Sequence, residues 1–249
     1  MRISLLLCIC MLACFVPANA SPINLINNPS FESPVVTAPA NYVSYPVPPG
    51  TGITDWTVVA GTGTVLPEVA IVNGSYISQG ITFAPDPSDG LQWLDLTGFA
   101  SNQFEGVAQT VTTDPGRTYD LSFMVGNVND LSGVYGTTST VQVRFCTPVC
   151  APPDGTGGTL IGNFTNSSTD HTALVWEMFN TTFVAAGAST TLDFLNGDLP
   201  TDNSNGLDSI VLTEEGIPEP GTLSLLGLGI IGLGLMRRLA KRSFHLPTR

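Results

Sequence analysis

The side chains with chemistry to offer are three tryptophans, an excess of acids, one close cysteine pair and a glutamate bracketed by prolines. Trp56, Trp93 and Trp176 supply the flat aromatic faces on which sugar rings stack, and such a platform needs only a few polar groups beside it. Core packing competes for each of the three, because large aromatic side chains are mostly buried. Trp93 lies in the alternating run Leu91-Gln92-Trp93-Leu94-Asp95-Leu96, which leaves its direction open. Trp56 follows a Pro/Gly-rich stretch and is the expected ligand-stacking residue. The acids would furnish a glycosidase pair, but that chemistry depends on a carboxylate separation that a sequence does not measure. There is no Gly-x-Ser-x-Gly elbow, and Asp170-His171 stands without a motif around it. The chain is therefore read as a non-enzyme.

Cys146 and Cys150 sit in Cys-Thr-Pro-Val-Cys. A zinc site needs more ligands close by, and His171 is the only histidine between residues 21 and 216. In an oxidising compartment the pair reads as a small local disulfide closing a loop after a strand. Asp198, Asp202 and Asn203 read as an ordinary polar turn, the commonest use of those residue types.

Both ends look like addresses. Met1-Arg2, an apolar run from Ile3 to Val16 and Pro17-Ala18-Asn19-Ala20 form a signal peptide over residues 1–20, cleaved after Ala20. At the other end Ile217-Pro218-Glu219-Pro220-Gly221 precedes an apolar stretch from Thr222 to Met236, broken only by Ser224 and four glycines. Arg237, Arg238, Lys241 and Arg242 follow. A bilayer span wants about 20 apolar residues. Leu239 and Ala240 lengthen this short run and the arginines can snorkel, so it is expected to be a short transmembrane helix. The basic cluster stops transfer and keeps residues 243–249 in the cytoplasm.

Between the ends, only Arg117 and Arg144 face 19 acids, a net charge near −17. A nucleic-acid binder needs a basic face, so that class is excluded. An acidic body is instead rich in oxygen ligands for hard cations. With 26 glycines and 19 prolines, short strands and many turns replace long helices. Tyr119, Leu121, Phe123 and Val125 alternate with Asp120, Ser122 and Met124, and Val141, Val143 and Phe145 alternate with Gln142 and Arg144. That period of two marks half-buried strands. Asp114-Pro115-Gly116 is a turn, and Pro34 to Pro49 reads as a long loop or edge segment. Residues 21–215 are long enough for a full core, and a single all-β sandwich of the jelly-roll kind accounts for them.

Two families are resembled. Ile217-Pro218-Glu219-Pro220, the Leu/Gly-rich span and Arg237-Arg238 resemble the PEP-CTERM sorting signal, over residues 216–242. The resemblance implies recognition by an exosortase, a membrane transpeptidase, and a destination at the cell surface or in an exopolysaccharide matrix. The body resembles galactose-binding-like jelly rolls of the DUF642 type. The carrying pieces are Asn24-Leu-Ile-Asn-Asn-Pro-Ser-Phe-Glu32, Trp56, Gly90-Leu-Gln-Trp-Leu-Asp-Leu96, Gly106-Val-Ala-Gln-Thr-Val111, Pro115-Gly-Arg-Thr-Tyr-Asp-Leu-Ser-Phe123 and Gly206-Leu-Asp-Ser-Ile-Val-Leu212. That resemblance implies a structural or carbohydrate-binding module. It also implies a structural calcium between the first and last strands, for which Glu32 and Asp208 are the candidate ligands. The alternatives are a plain membrane-anchored surface protein without sugar affinity and a polysaccharide hydrolase.

Overall fold

The computed structural model describes residues 22–47, 50–60, 68–98, 104–147, 157–199, 202–216, 227 and 230–234. Contacts divide the chain into two units, Met1–Glu214 and Glu215–Arg249. The first unit is all β, as the alternation predicts. Its strands are β1 (Tyr42–Pro46), β2 (Thr57–Val59), β3 (Glu68–Asn73), β4 (Ile77–Ser78), β5 (Ile81–Thr82), β6 (Gln92–Asp95), β7 (Gly106–Thr112), β8 (Thr118–Asn127), β9 (Ser139–Cys146), β10 (Thr159–Asn166), β11 (Val175–Val184), β12 (Ser189–Asn196) and β13 (Gly206–Glu214). Two sheets make the sandwich, one ordered β1-β3-β6-β13-β8-β11 and the other β10-β9-β12-β7-β2. The hairpin β4-β5 stands apart.

Each strand's pattern explains its place. In β8 the buried residues are Tyr119, Leu121, Phe123 and Val125, with Asp120, Ser122 and Met124 between them on the other face. From Thr190 to Asn196 every residue of β12 is buried, which suits the middle strand of its sheet. The core between the sheets is knitted by aromatic rings. Phe123 meets Phe164 and Phe194 edge-on at 5.1 and 5.5 Å, and Trp56 meets Phe194 at 6.1 Å. Burial of each such ring is worth roughly 1.5–3 kcal/mol. The Pro-rich stretch yields β1, an edge strand, where missing donors matter least.

Residues 24–29 run beside the last strand. Asn24 donates to Ile210 O (2.9 Å) and accepts from Leu212 N (2.9 Å), and Leu25 N bonds Leu212 O (2.9 Å). Gln109 clamps the same segment, donating to Asn27 O and accepting from Asn27 N. β13 is irregular between Asp208 and Val211, where Ser209 has a φ of 52°.

In the second unit residues 230–234 are helical. Among the described residues no helix is long and apolar enough to cross a membrane. The expected span falls mostly outside them. The signal peptide with Ala20, the Pro218-Glu219-Pro220 motif, Arg237, Arg238 and Cys150 also lie outside the described residues.

Candidate functional site

The six-stranded sheet has a second apolar surface on its outer side, built from Ala70, Val72, Ile81, Phe83, Trp93, Val128 and Leu174. Strand register decides which residues reach it. Ile71 pairs with Leu94, and both belong to the inner core. The flanking pairs Val72–Trp93 and Ala70–Asp95 therefore point outward. Tyr42 on β1 extends the Val72–Trp93 row. The segment through β4 and β5 adds Tyr76 and Phe83, and the 128–136 loop adds Tyr135.

These groups enclose a cavity of about 290 Å³. Phe83 stacks on Trp93 at 6.4 Å and meets Tyr135 at 5.0 Å and Tyr76 at 5.6 Å. The Trp93 indole N–H donates to Phe83 O at 3.1 Å, which fixes the ring. Ala70 opposite Asp95 leaves room that a larger side chain would fill. Trp176 buttresses the wall from β11, edge-on to Trp93 at 5.8 Å, with its N–H on Ala84 O. It gets there by lying over Gly126 and Gly206, which pair across β8 and β13. A Cβ on either glycine would stand 2.9 Å from the indole.

Asp95 is the charged member of the lining. Its Oδ1 accepts from Thr97 N (3.0 Å), Thr97 Oγ1 (2.8 Å) and Asn205 N (3.2 Å). Burial nonetheless pushes the carboxyl up to about 7, and the charge of Asp198 adds to the rise. Asp198 and Asp202 are held up at about 6 and about 8, burial again coming first, and Asp202 also feels Asp198, Asp95 and Asp130. Two buried oxygens in this neighbourhood, Ser204 Oγ and Asn205 Oδ1, have no hydrogen-bond partner. The expected polar turn at Asp198, Asp202 and Asn203 is thus part of a buried acidic cluster beside the cavity. Asp95 did not stand out in the sequence, since it reads as one position of an alternating strand, and Asp198 and Asp202 were read only as a turn.

The sequence-derived candidates fall elsewhere. Trp56 is 4% exposed, packs between Phe31 and Phe194, and donates its N–H to Asn28 O at 3.0 Å. An indole held this way offers no open face to a sugar. Glu32 and Asp208 are linked through one segment and not by a contact of their own. Glu32 Oε1 accepts from the amides of Leu91 (2.7 Å) and Gln92 (2.8 Å). Asp208 accepts from Asp86 N (3.2 Å) and Ser209 N (2.8 Å). Its carboxyl is raised to about 8 by burial and by the charges of Asp89 and Asp86. Asp89 is bonded by Ser30, and Asp86 by Ser88 (2.7 Å) and Ser209 (2.8 Å). The carboxylate chemistry of Asp86, Asp89 and Asp208 suits a hard cation. Among the described residues, no three acids, histidines or cysteines converge on one point as a metal centre does. Asp86-Pro-Ser-Asp89-Gly reads in sequence as a turn, which hid these two acids. Cys146 is disulfide-bonded. His171 is exposed, with Nδ1 2.7 Å from Asn129 O.

Residues 216–238 match the PEP-CTERM protein-sorting motif. The chain carries an exosortase sorting signal. The PEP-CTERM motif implies export and sorting to the cell envelope, with an exosortase as processing partner. No curated protein matches the sequence. Among solved structures, the body is similar to a Stig cyclase, Fisc, from Fischerella sp. TAU, at 18% identity and a TM-score of 0.53, covering 80% of this chain and 100% of that one. It is similar to an apo cyclase from Fischerella sp. at 14% identity and a TM-score of 0.50, covering 80% and 98%. At these identities the likeness is one of fold.

Proposed function

We propose that this PEP-CTERM chain is delivered by an exosortase to the cell surface or extracellular matrix, where its sandwich acts as a carbohydrate-binding module associated with exopolysaccharide. The observation that carries the binding role is the cavity on the outer face, with its aromatic walls and a carboxylate and an amide as polar groups. Aromatic rings take the C–H face of a pyranose, and a few fixed polar atoms orient it. At about 290 Å³ the cavity lies at the small end of ligand sites, suited to one sugar ring.

Two experiments test the two halves. Replacing Pro218-Glu219-Pro220 by alanines should leave the protein uncut and held in the membrane fraction, read by intact mass; normal processing of that variant refutes the sorting role. Glycan-array binding that is lost on Tyr76→Leu supports the module. Silence of the wild type on polysaccharide arrays leaves a surface protein without sugar affinity.

One observation favours a second reading. Asp95, held near 7 inside an aromatic cavity, has the protonation behaviour of a general acid. Release of products from polysaccharide by the wild type, abolished in Asp95→Asn, would establish a hydrolase in place of a module.

A structural calcium remains a proposal, with Asp208 as candidate ligand beside Asp86 and Asp89, and Glu32 serving to hold the 86–92 segment. Support comes from the repulsion among those carboxylates, which a divalent cation would relieve. A melting temperature unchanged by chelator would remove it.

A further inference from the structure

The cavity is one-sided in its electrostatics, and this gives the sugar-binding reading, on which the inference rests, a ligand class. Among the described residues, Asp95 and Asn203 are the polar lining apart from tyrosine hydroxyls, and neither a lysine nor an arginine lines it. Asp202 and Asp198 stand behind Asp95, each within reach of its charge or of the other's. On the far wall Asp130 accepts from the backbone N–H of Tyr135 at 3.0 Å. The two arginines of the described body are engaged away from this face. Arg117 pairs with Glu214 at 2.5 Å, and Arg144 donates to Gln142 at 2.9 Å and lies opposite Asp193. A neutral sugar is read by a balance of donors and acceptors.

We propose that the cavity takes a pyranose bearing a protonated amine, an amino-sugar unit of a polysaccharide, with the aromatic wall against its ring and the Asp95 carboxylate receiving its ammonium group. Ammonium–carboxylate hydrogen bonds are the strong, charge-assisted kind, and a buried acceptor makes them selective. An N-acetylated unit brings a larger, uncharged group and leaves Asp95 uncompensated. The net charge near −17 of the body draws such a cationic polymer from a distance.

The test is calorimetric titration of the full-length protein in detergent with three hexamers: glucosamine, N-acetylglucosamine and glucose. The glucosamine hexamer should bind about tenfold more tightly than the other two. Asp95→Asn keeps an Oδ1 to accept from Thr97 and Asn205, so it should fold and lose that preference. Tyr76→Leu should weaken the glucosamine hexamer with less risk to the fold than a change at buried Trp93. An oligolysine of equal charge controls for polyanion attraction, which a single neutralised acid scarcely alters. Equal affinity for all three sugars, an Asp95→Asn protein that keeps the preference, or oligolysine binding as tight as glucosamine would each overturn the amine reading. Of these, equal affinity for the sugars leaves the sugar-binding module standing. Binding of none of the three overturns both readings.

Discussion

The two faces of β6 are neighbours along one chain and opposites in use. Inward, Leu94 meets Ile71, and neither keeps any exposed surface. Outward, Trp93 and Asp95 face a partly filled space with a buried acid in it. Both faces bring aromatic rings into contact, but the inner rings fill the space between the sheets, whereas the outer ones line a cavity beside a carboxyl. Close packing stabilises the inner face, whereas the outer rings keep part of their surface free of protein contacts. The difference is why the proposed binding site is placed on the outer face.

The contrast is broken most severely from the inside. Phe194→Ala or Trp56→Ala should cost about 3–5 kcal/mol, measured by urea unfolding, because each leaves a cavity between sheets. Should Trp56→Ala leave stability intact and abolish sugar binding, the assignment of Trp56 to the core is wrong. Gly126→Ala is next. Its new Cβ meets the Trp176 indole at 2.9 Å, so the ring must shift, at a cost of about 1–3 kcal/mol and with a change in tryptophan fluorescence.

Titration sharpens the comparison next. Asp95, Asp202 and Asp208 have carboxyls raised to about 7, about 8 and about 8, so the native state holds protons that the unfolded chain has released. Their contribution is full below about pH 4 and is lost as pH rises through those values. In chelator, stability should therefore fall between pH 5 and pH 8, by an amount on the order of a few kcal/mol. Asp95→Asn should flatten part of that slope, whereas a profile that rises toward pH 8 would contradict the burial of these acids. The smallest effect is Tyr42→Phe, expected within about 0.5 kcal/mol of wild type in stability.

Much of the frame was legible in the sequence. The period of two in Tyr119 to Val125 located β8, and Asp114-Pro115-Gly116 the turn before it, because local alternation and turn chemistry are local properties. The outer cavity was not legible, for a reason visible in β6 itself. Alternation in Leu91 to Leu96 says that Trp93 and Leu94 face opposite ways, but which way is inward depends on β3 and β13, far off in sequence. Trp56 misled because a Pro/Gly-rich approach reads as exposed loop, while its burial comes from Phe31 and Phe194. Asp86 and Asp89 were hidden by turn chemistry, which uses the same residues as a cation site.

The seam between residues 24–29 and β13 fixes when this body can exist. β13 lies in the interior of its sheet, between β6 and β8, and Leu25 closes on Leu212 across nearly the whole unit. A chain threaded outward from its N-terminus has no partner for Asn24 and no middle for its larger sheet until residue 214 has emerged. The larger sheet therefore cannot close before its last strand is available. Any truncation before residue 214 thus cuts into the middle of that sheet and not merely an edge.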